Sequence, residues 1–262
     1  MKKEIKHRAF NVLGNIAVIN FNKGILLKDK KKVANKILKE HANIQTVVEK
    51  SGNFHGRLRK MTTRHLAGEK NKEVLYKENG CSFRFNIDDT YFSPRLSNER
   101  LEVAKLIKKG EEVLVMFAGV APFSICIAKN SKAAMVYSNE INQKANKYAE
   151  LNLQLNKVRR EVELVSGDIK KVADKLKQKF DVIVMPRPNL RDTFLKQAFK
   201  LSKKGTRIFY YGFCKVDEKG KILEQIYKES KLARKKIKVL KVKNAGEIAP
   251  YKVRLRVDFK IL

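Results

Sequence analysis

The pattern of apolar positions along the chain changes near residue 90. Before that point, short apolar runs predict strands at residues 11–20, 45–50, 73–77 and 82–87, and a glycine turn breaks the first run. Asn79 and Gly80 supply the turn of a hairpin between the last two strands. Residues 29–41 carry apolar residues at helical spacing and predict a basic helix. We therefore expect a small α+β domain over residues 1–90.

From residue 97 onward, predicted strands and helices alternate with short connections. The predicted strands are 113–117, 134–138, 161–165, 181–185, 206–211, 236–242 and 251–260. The predicted helices are 98–109, 122–129, 142–156, 168–177, 190–201 and 218–234, with Gly110 ending the first. This alternation indicates a doubly wound, mainly parallel sheet. We expect an α/β, Rossmann-like domain over residues 91–262.

The chain is strongly basic. Its 262 residues include 59 Lys and Arg against 27 Asp and Glu, a formal net charge of +32. Such an excess favours a polyanionic partner, usually nucleic acid, although a lysine-rich proteome raises the same background. Three separated cysteines without CxxC or Cys/His spacing indicate a reducing interior and no zinc site. With no signal peptide and no apolar run of about 20 residues, we expect a cytoplasmic protein without a membrane span.

The predicted strand 113–117 ends in a run of small residues. Ala118, Gly119 and Val120 let the backbone approach a ligand, although an ordinary strand–helix connection has the same composition. The next strand ends at Glu140, about 20 residues later, where a carboxylate can accept hydrogen bonds from ribose hydroxyls. The third ends at Asp168, which can accept from an adenine amino group. Because neither a P-loop nor a GxGxxG fingerprint is present, S-adenosylmethionine is the predicted adenosine cofactor.

The fourth strand of this region ends in a proline-rich loop. Met185 is followed by Pro186, Arg187 and Pro188. Many methyltransferases that act on amino groups and bases carry a short Asn/Asp-Pro-Pro-like loop here, whose carbonyls face the target base. A strand that proline stops before a turn explains the same residues, so the loop alone leaves both interpretations open.

Two motifs together resemble one family. Residues 91–100 (YFSPRLSNER) and 117–125 (FAGVAPFSI) are similar to the archaeal and eukaryotic tRNA (guanine-37, N1)-methyltransferase family, as are the stretches 56–59, 65–69 and 249–258. The resemblance covers nearly the whole chain. It implies a Rossmann-like class I methyltransferase domain, preceded by a small domain that helps to bind RNA and substrate. It also implies S-adenosylmethionine as cofactor and methylation of the guanosine 3′ of the anticodon.

The resemblance implies roles for single positions. Glu99 matches the candidate general base that takes the N1 proton of guanine, and Arg59, or else Arg57, matches an arginine near guanine O6. Pro186 and Pro188 would flank the methyl group and the base. The positions expected to hold the cofactor are Tyr91, Arg100, Phe117, Ala118, Gly119, Val120, Glu140, Ile141, Asp168 and Met185. No position is expected to bind a metal.

These residue types suit the reaction. Guanine N1 becomes nucleophilic when it loses its proton, and a partly buried carboxylate is a suitable acceptor. An arginine stabilises the negative charge that builds on O6. The methyl donor needs only positioning because its sulfonium is already activated, and the target base must flip out of its stack to reach it. Without the resemblance, Glu99 and Arg100 would be interpreted as an ion pair on a helix surface.

Three positions depart from the family pattern. Val115 stands where an acidic residue is usual, Ala121 replaces a second glycine, and Pro186 replaces the asparagine of an Asn-Leu-Pro loop. One archaeal branch carries a proline-rich loop, and some of its members also methylate a carbon of the tricyclic imidazopurine made later from the same nucleotide. We therefore expect a bifunctional enzyme of a wyosine-type pathway.

The expected partner is the anticodon arm of tRNA, bound by a monomer. Many relatives carry a further small domain ahead of the region that begins here near Phe10. This chain is expected to bind tRNA without that domain, through the anticodon arm and basic surface.

Two other functions remain open. An aminocarboxypropyl transferase would use the same fold and cofactor on a wyosine precursor, but it is expected to lose the SPRL/Glu motif and the proline loop. A non-catalytic RNA-binding protein on a degenerate methyltransferase scaffold would fit Val115 and Ala121. Binding of S-adenosylmethionine distinguishes an enzyme from the degenerate scaffold.

Because contacts to phosphates would dominate binding, we expect the affinity for tRNA to fall at least about tenfold between ~0.05 M and ~0.2 M salt. Fluorescence anisotropy with labelled tRNA over a salt series measures the slope. A flat response would contradict binding through the basic surface.

Overall fold

The computed structural model describes residues 10–52, 56, 58 and 61–262. The chain divides into two compact units between Pro94 and Arg95, a few residues beyond the boundary predicted at residue 90. Each unit has its own sheet and its own buried core.

The first unit contains a four-stranded sheet with a helix packed on it. Its strands, in order across the sheet, are β1 (Asn11–Leu13), β2 (Ile16–Ile19), β3 (Thr46–Lys50) and β4 (Thr63–Gly68). Helix α1 (Leu27–Glu40) connects the parallel pair β2 and β3, and buries Ala34 and Ile37. A separate hairpin of β5 (Glu73–Glu78) and β6 (Cys81–Asn86) follows. The predicted strands and helix of this region are therefore present.

Strand β4 was not predicted from the sequence. Its apolar residues do not alternate, since Leu66 and Ala67 are adjacent and both buried. The pairing with β3 shifts register between Val47 and Val48, and this irregularity lets two consecutive side chains face the core.

The second unit is built on a seven-stranded sheet. Its strands along the chain are β7 (Glu112–Met116), β8 (Met135–Glu140), β9 (Val162–Ser166), β10 (Phe180–Met185), β11 (Ser202–Lys215), β12 (Ile237–Ala249) and β13 (Lys252–Ile261). The order across the sheet is β12-β13-β11-β10-β7-β8-β9. Strand β13 runs antiparallel to both of its neighbours, and the other pairs are parallel. The predicted α/β, Rossmann-like fold is confirmed.

The helices of the second unit are α2 (Ser97–Leu106), α3 (Pro122–Asn130), α4 (Gln143–Asn156), α5 (Ile169–Lys175), α6 (Leu195–Lys200) and α7 (Lys219–Leu232). Two predicted boundaries are wrong. Helix α2 ends before Gly110, because Ile107 is already extended and its N–H donates to the Ala104 carbonyl. Helix α6 begins at Leu195 rather than 190, because Phe194 is left-handed and the carbonyls of residues 190 and 192 bind a side chain.

Strand β7 lies in the interior of the sheet, with residues 113–116 fully buried. The next strand along the chain, β8, lies on one side of it, and β10 lies on the other. The strand order therefore reverses at β7. In open α/β sheets, ligands bind at the carboxyl end of the strands at such a reversal.

Among the described residues, no helix combines the length and apolar character needed to cross a membrane. The same part of the chain holds no group of three or more His, Cys, Asp and Glu side chains arranged to bind a metal ion.

Ala121 precedes α3 in the left-handed conformation, with φ of 66°. We expect Ala121→Gly to leave the free energy of unfolding nearly unchanged, within about 0.5 kcal/mol. Relief of left-handed strain, about 1–2 kcal/mol, offsets the loss of one buried methyl group, about 0.8 kcal/mol, and the greater entropy of glycine in the unfolded chain, about 0.4–1 kcal/mol. Urea denaturation measures the change. Ala118→Gly, at a neighbouring buried alanine without positive φ, serves as the control and should destabilise the protein; an equal loss of stability in Ala121→Gly would contradict the prediction.

Candidate active site

The connection from β7 to α3 is a tight turn of left-handed residues. Phe117, Gly119 and Ala121 have φ of 58°, 59° and 66°. The turn closes on itself where the Ala121 N–H donates to the Ala118 carbonyl at 3.0 Å. From α4, the buried Asn152 amide donates to the Val120 carbonyl at 3.1 Å. The predicted cofactor turn is thus held in one conformation by its own backbone and by a neighbouring helix.

Glu140 joins this turn to the end of β8. Its Oε2 accepts from the Gly119 N–H at 2.7 Å, and its Oε1 accepts from the Asn142 N–H at 2.7 Å. Burial raises the pKa of the Glu140 carboxyl, and hydrogen bonds from the backbone oppose that rise only in part. With the Ile141 N–H as a third backbone donor, the carboxylate still has an acceptor site for a further hydrogen bond. A ribose hydroxyl at this edge of the sheet would therefore find a fixed acceptor.

Asn139 ties the ends of three strands together. Its amide donates to the carbonyls of Val165 and Gly167 in and after β9, at 2.8 and 3.1 Å. The backbone carbonyl of Asn139 accepts from the Ala118 N–H at 2.8 Å. Asn139 was not among the predicted site residues, although its polar side chain next to Glu140 at the end of a strand could have indicated a role in the site. The predicted Asp168 caps α5, where its carboxylate accepts from the Lys170 N–H at 3.1 Å.

Arg187 organises the proline loop from within. Its side chain is 6% exposed, and its Nη2 donates to the carbonyls of Leu190 and Asp192 at 2.6 and 2.7 Å. Its guanidinium lies over the rings of Tyr210 and Phe213, at 5.6 and 5.9 Å from their centroids. The Nε atom is buried and has no hydrogen-bond partner among the described residues. The loop that contains Pro186 and Pro188 is therefore folded around a cation, not simply stopped by proline.

An aromatic pair connects the proline loop to the glycine turn. Phe194 packs edge-to-face against Phe117, with ring centroids 4.8 Å apart. Asp192 caps the Phe194 N–H at 2.8 Å and forms an ion pair with Lys170 of α5 at 2.5 Å. Phe194 was missed because it falls inside the helix predicted at 190–201. Met185 is fully buried in the core below the loop.

Glu99 is buried in a cluster of charged side chains. It lies in the first turn of α2 and is 6% exposed. Its Oε2 accepts from Arg256 Nη1 at 2.9 Å and from the Tyr211 hydroxyl at 3.1 Å. Its Oε1 lies 2.7 Å from Lys243 Nζ. The interpretation of Glu99 as half of a surface ion pair is wrong, since its partners come from the sheet.

Arg256 is the centre of this cluster. Its side chain is fully buried, and it also donates to Glu102 at 2.7 Å and to both oxygens of Asp258 at 2.8 and 3.0 Å. Burial would raise the pKa of Glu102, but hydrogen bonds from Lys243 and Arg256 outweigh it and lower the pKa to about 2. Burial raises the pKa of Asp258 despite its contacts with Arg256. Burial, together with the charge of Glu99, holds the pKa of Tyr211 well above its usual value.

Strand register explains why these side chains meet. Tyr211 of β11 pairs with Arg256 of β13, and Arg256 pairs with Lys243 of β12. Paired residues on adjacent strands point to the same face of a sheet. The three strands therefore present a row of Tyr, Arg and Lys side chains, on which Glu99 packs.

The remaining predicted positions lie elsewhere in the chain. Arg100 is 1% exposed and its guanidinium lies over the Phe123 ring at 5.8 Å, between α2 and α3. Tyr91 belongs to the first unit, and Ile141 directly follows Glu140. Arg57 and Arg59 lie outside the described residues.

Comparison with known proteins decides the family. A model of the TRM5/TYW2 methyltransferase domain matches residues 74–242, and one of the TYW2 N-terminal domain matches residues 1–71. The chain belongs to the TRM5/TYW2 methyltransferase family. Members of the TRM5/TYW2 family are S-adenosylmethionine-dependent, so the predicted family and cofactor are confirmed.

Three relatives of known identity are similar over nearly all of the chain. Trm5b of Pyrococcus abyssi, a tRNA (guanine(37)-N(1))-methyltransferase, is 35% identical over 97% of this chain and 74% of its own, and its crystal structure superimposes with a TM-score of 0.85. Taw22 of Nanoarchaeum equitans, a tRNA (guanine(37)-N(1))/4-demethylwyosine(37)-methyltransferase, is 31% identical over 97% of this chain and 100% of its own. A solved complex of aTrm5 and tRNALeu is 26% identical over 97% of this chain and 72% of its own, with a TM-score of 0.83.

The residues at the strand ends fit the cofactor of the TRM5/TYW2 family. Glu140 would offer an acceptor to ribose hydroxyls, the turn at Gly119 would let the backbone come close, and Asp168, at the start of α5, would offer a further acceptor. When bound, S-adenosylmethionine supplies a methyl group that its sulfonium has already activated. The chain's own contribution is then position and a dry, ordered edge of the sheet.

Because an ionised Glu140 is the better acceptor, we expect affinity for S-adenosylmethionine to weaken as pH falls through the raised pKa of this group, starting above its ordinary value of 4.5. Glu140→Gln should lower the affinity at pH 7.5 by about tenfold or more and remove this pH dependence. Isothermal titration calorimetry measures both. Glu150→Gln, on the outside of α4, is the control; equal behaviour of the two variants would exclude Glu140 from the cofactor site.

Proposed function

We propose that this protein transfers the methyl group of S-adenosylmethionine to N1 of guanosine 37 of tRNA. We further propose that the same site methylates a carbon of the tricyclic wyosine precursor at that position. It would act on the anticodon arm as a cytoplasmic monomer. The observation that carries this proposal is the buried carboxylate of Glu99, held by Arg256 and Tyr211 within the motif that resembles the tRNA methyltransferases.

In this function Glu99 is the proton acceptor. Guanine N1 gives its proton to the carboxylate, and the N1 lone pair then forms the new bond to the methyl carbon while the bond from that carbon to the sulfonium sulfur breaks and a neutral thioether leaves. For the tricyclic base, the ring carbon forms the bond first and then loses its hydrogen as a proton. One carboxylate can serve both steps, because each releases a single proton from the substrate.

The proline loop supports the broader substrate range. Pro186 has no side-chain amide with which to recognise the guanine edge. Arg187 holds the loop through the carbonyls of Leu190 and Asp192, so its shape does not depend on contacts with a base. A binding site whose lining has no hydrogen-bond donors discriminates weakly against a modified base. A lining with buried polar groups that need a partner on the base discriminates strongly. The similarity to Taw22, whose name includes both reactions, points the same way.

Nucleoside mass spectrometry of tRNA incubated with labelled cofactor tests the function. With guanosine at position 37 we expect 1-methylguanosine, and with the tricyclic precursor we expect its methylated form. An aminocarboxypropyl mass on the tricyclic base would identify the alternative transferase. No label on either substrate, in a protein that binds the cofactor, would contradict both methylations.

Glu99→Gln should lower the single-turnover rate with guanosine 37 at least about 100-fold, because it removes the proton acceptor. Cofactor affinity should stay unchanged. Glu102→Gln is the matched comparison, since Glu102 lies on the same helix and also binds Arg256 and Lys243; it should lose far less of the rate, because the Glu99 carboxylate is still present. A Glu99→Gln variant with full methylation at neutral pH would refute Glu99 as the base.

A further inference from the structure

The two oxygens of Glu99 have different kinds of partner. Oε2 is held by Arg256 and Tyr211, whose side chains are buried inside the second unit. Oε1 is held by Lys243, whose side chain is 26% exposed and lies on the edge strand β12. One oxygen is thus fixed by the interior, while the other faces a partner that is open to solvent.

Lys243 also has a second anion within reach. Its Nζ lies 2.5 Å from Glu102 Oε2, as well as 2.7 Å from Glu99 Oε1. Glu102 is more exposed than Glu99, and the pKa of Glu102 is low enough that it stays ionised. Lys243 can therefore move away from Glu99 and keep an ion pair. Arg256 cannot, because withdrawal would leave three carboxylates without their common buried cation.

The charges around Glu99 balance closely. The groups that face it directly or through one neighbour are Glu102 from α2, Tyr211 from β11, Lys241 and Lys243 from β12, and Arg256 and Asp258 from β13. Helix α3 contributes the uncharged Phe123 ring, 5.9 Å from that of Tyr211. Within the described part of the chain, this cluster thus holds three carboxylates and three cations. Loss of one cation from Glu99 leaves its carboxylate a stronger proton acceptor.

We infer that Arg256 and Tyr211 are positioning residues for Glu99, and that Lys243 is an exchangeable counter-ion. When the target base enters, Lys243 withdraws to Glu102 and frees Oε1 to receive the proton of the substrate. The carboxylate thereby has two cations in contact in the free enzyme and only Arg256 in the complex. This inference rests on the proposed function, in which Glu99 is the base.

The pH dependence of Lys243→Met tests the exchange. The rate of methylation of guanosine 37 would be measured over a range of pH. The pH dependence of kcat/KM reports the groups that titrate in the free enzyme, and that of kcat reports the groups that titrate in the complex. We expect the acidic limb of kcat/KM to move to higher pH by about 0.5–1 unit, since a partly exposed cation has left the carboxylate. The acidic limb of kcat should stay in place, because Lys243 has already withdrawn there.

Two variants serve as controls. Lys241→Met removes a lysine of the same strand that reaches Glu102, at 3.4 Å, but not Glu99, and should move neither limb. Lys243→Arg keeps the charge and should return the kcat/KM limb to its original position. Movement of both limbs in Lys243→Met would show that the lysine stays on Glu99 in the complex. A uniform loss of rate at every pH would show a purely structural role, and either result overturns the inference.

An activity-independent measurement separates this inference from the proposed function. In protein with ¹³C-labelled glutamate, the Glu99 carboxyl signal, assigned with Glu99→Gln, should titrate at higher pH in Lys243→Met than in the unsubstituted protein. Such a shift without methylation of any tRNA would reject the function and keep the counter-ion. Methylation without the shift would reject the counter-ion and keep the function.

Discussion

The buried guanidinium of Arg256 is the constraint on which the second unit depends. A fully buried cation is strongly unfavourable unless hydrogen-bonded anions surround it, and three carboxylates do so here. Two of them, Glu99 and Glu102, belong to α2, whereas Asp258 lies two residues from Arg256 on β13. The same ion pairs that satisfy the arginine therefore attach α2 to the sheet and fix the orientation of its first turn.

Strand order relates this cluster to the cofactor edge. Strands β7, β8 and β9 carry the glycine turn, Glu140 and Asp168, whereas β11, β13 and β12 carry the charged row. Strand β10 lies between the two halves, and its last residue, Met185, pairs with Tyr210 beside Tyr211. The proline loop therefore begins beside the part of β11 that contains Tyr211, one of the residues that hold Glu99. Its two anchors reflect that position, since Arg187 packs on Tyr210 while Phe194 packs on Phe117.

The features of this architecture that depend on short segments could be predicted from the sequence. The alternation of strands and helices, the small residues after β7 and the acids at the ends of β8 and β9 are features of short segments, and the structure has them at the sheet edge. The support of Glu99 is not local, because its contacts span more than 100 residues. It also needs a register shift between Val239 and Lys241, without which Lys241 and Lys243 would share the face of the core residue Val239. No periodicity in the sequence signals that bulge. The carbonyls of Leu190 and Asp192, which bind the buried Arg187, fell within the helix predicted at 190–201.

The departures at Val115 and Ala121 do not indicate a degenerate site. Val115 is fully buried in the middle of β7, between Ser138 and Val184, where a carboxylate would need a compensating partner. Glu140 already supplies the acceptor at this edge, and it binds the Gly119 N–H directly. Ala121 adopts the left-handed conformation that a glycine would prefer, so the turn keeps its shape at the expense of some strain. The turn therefore still stands beside a buried carboxyl of raised pKa, an arrangement that is typical of functional sites.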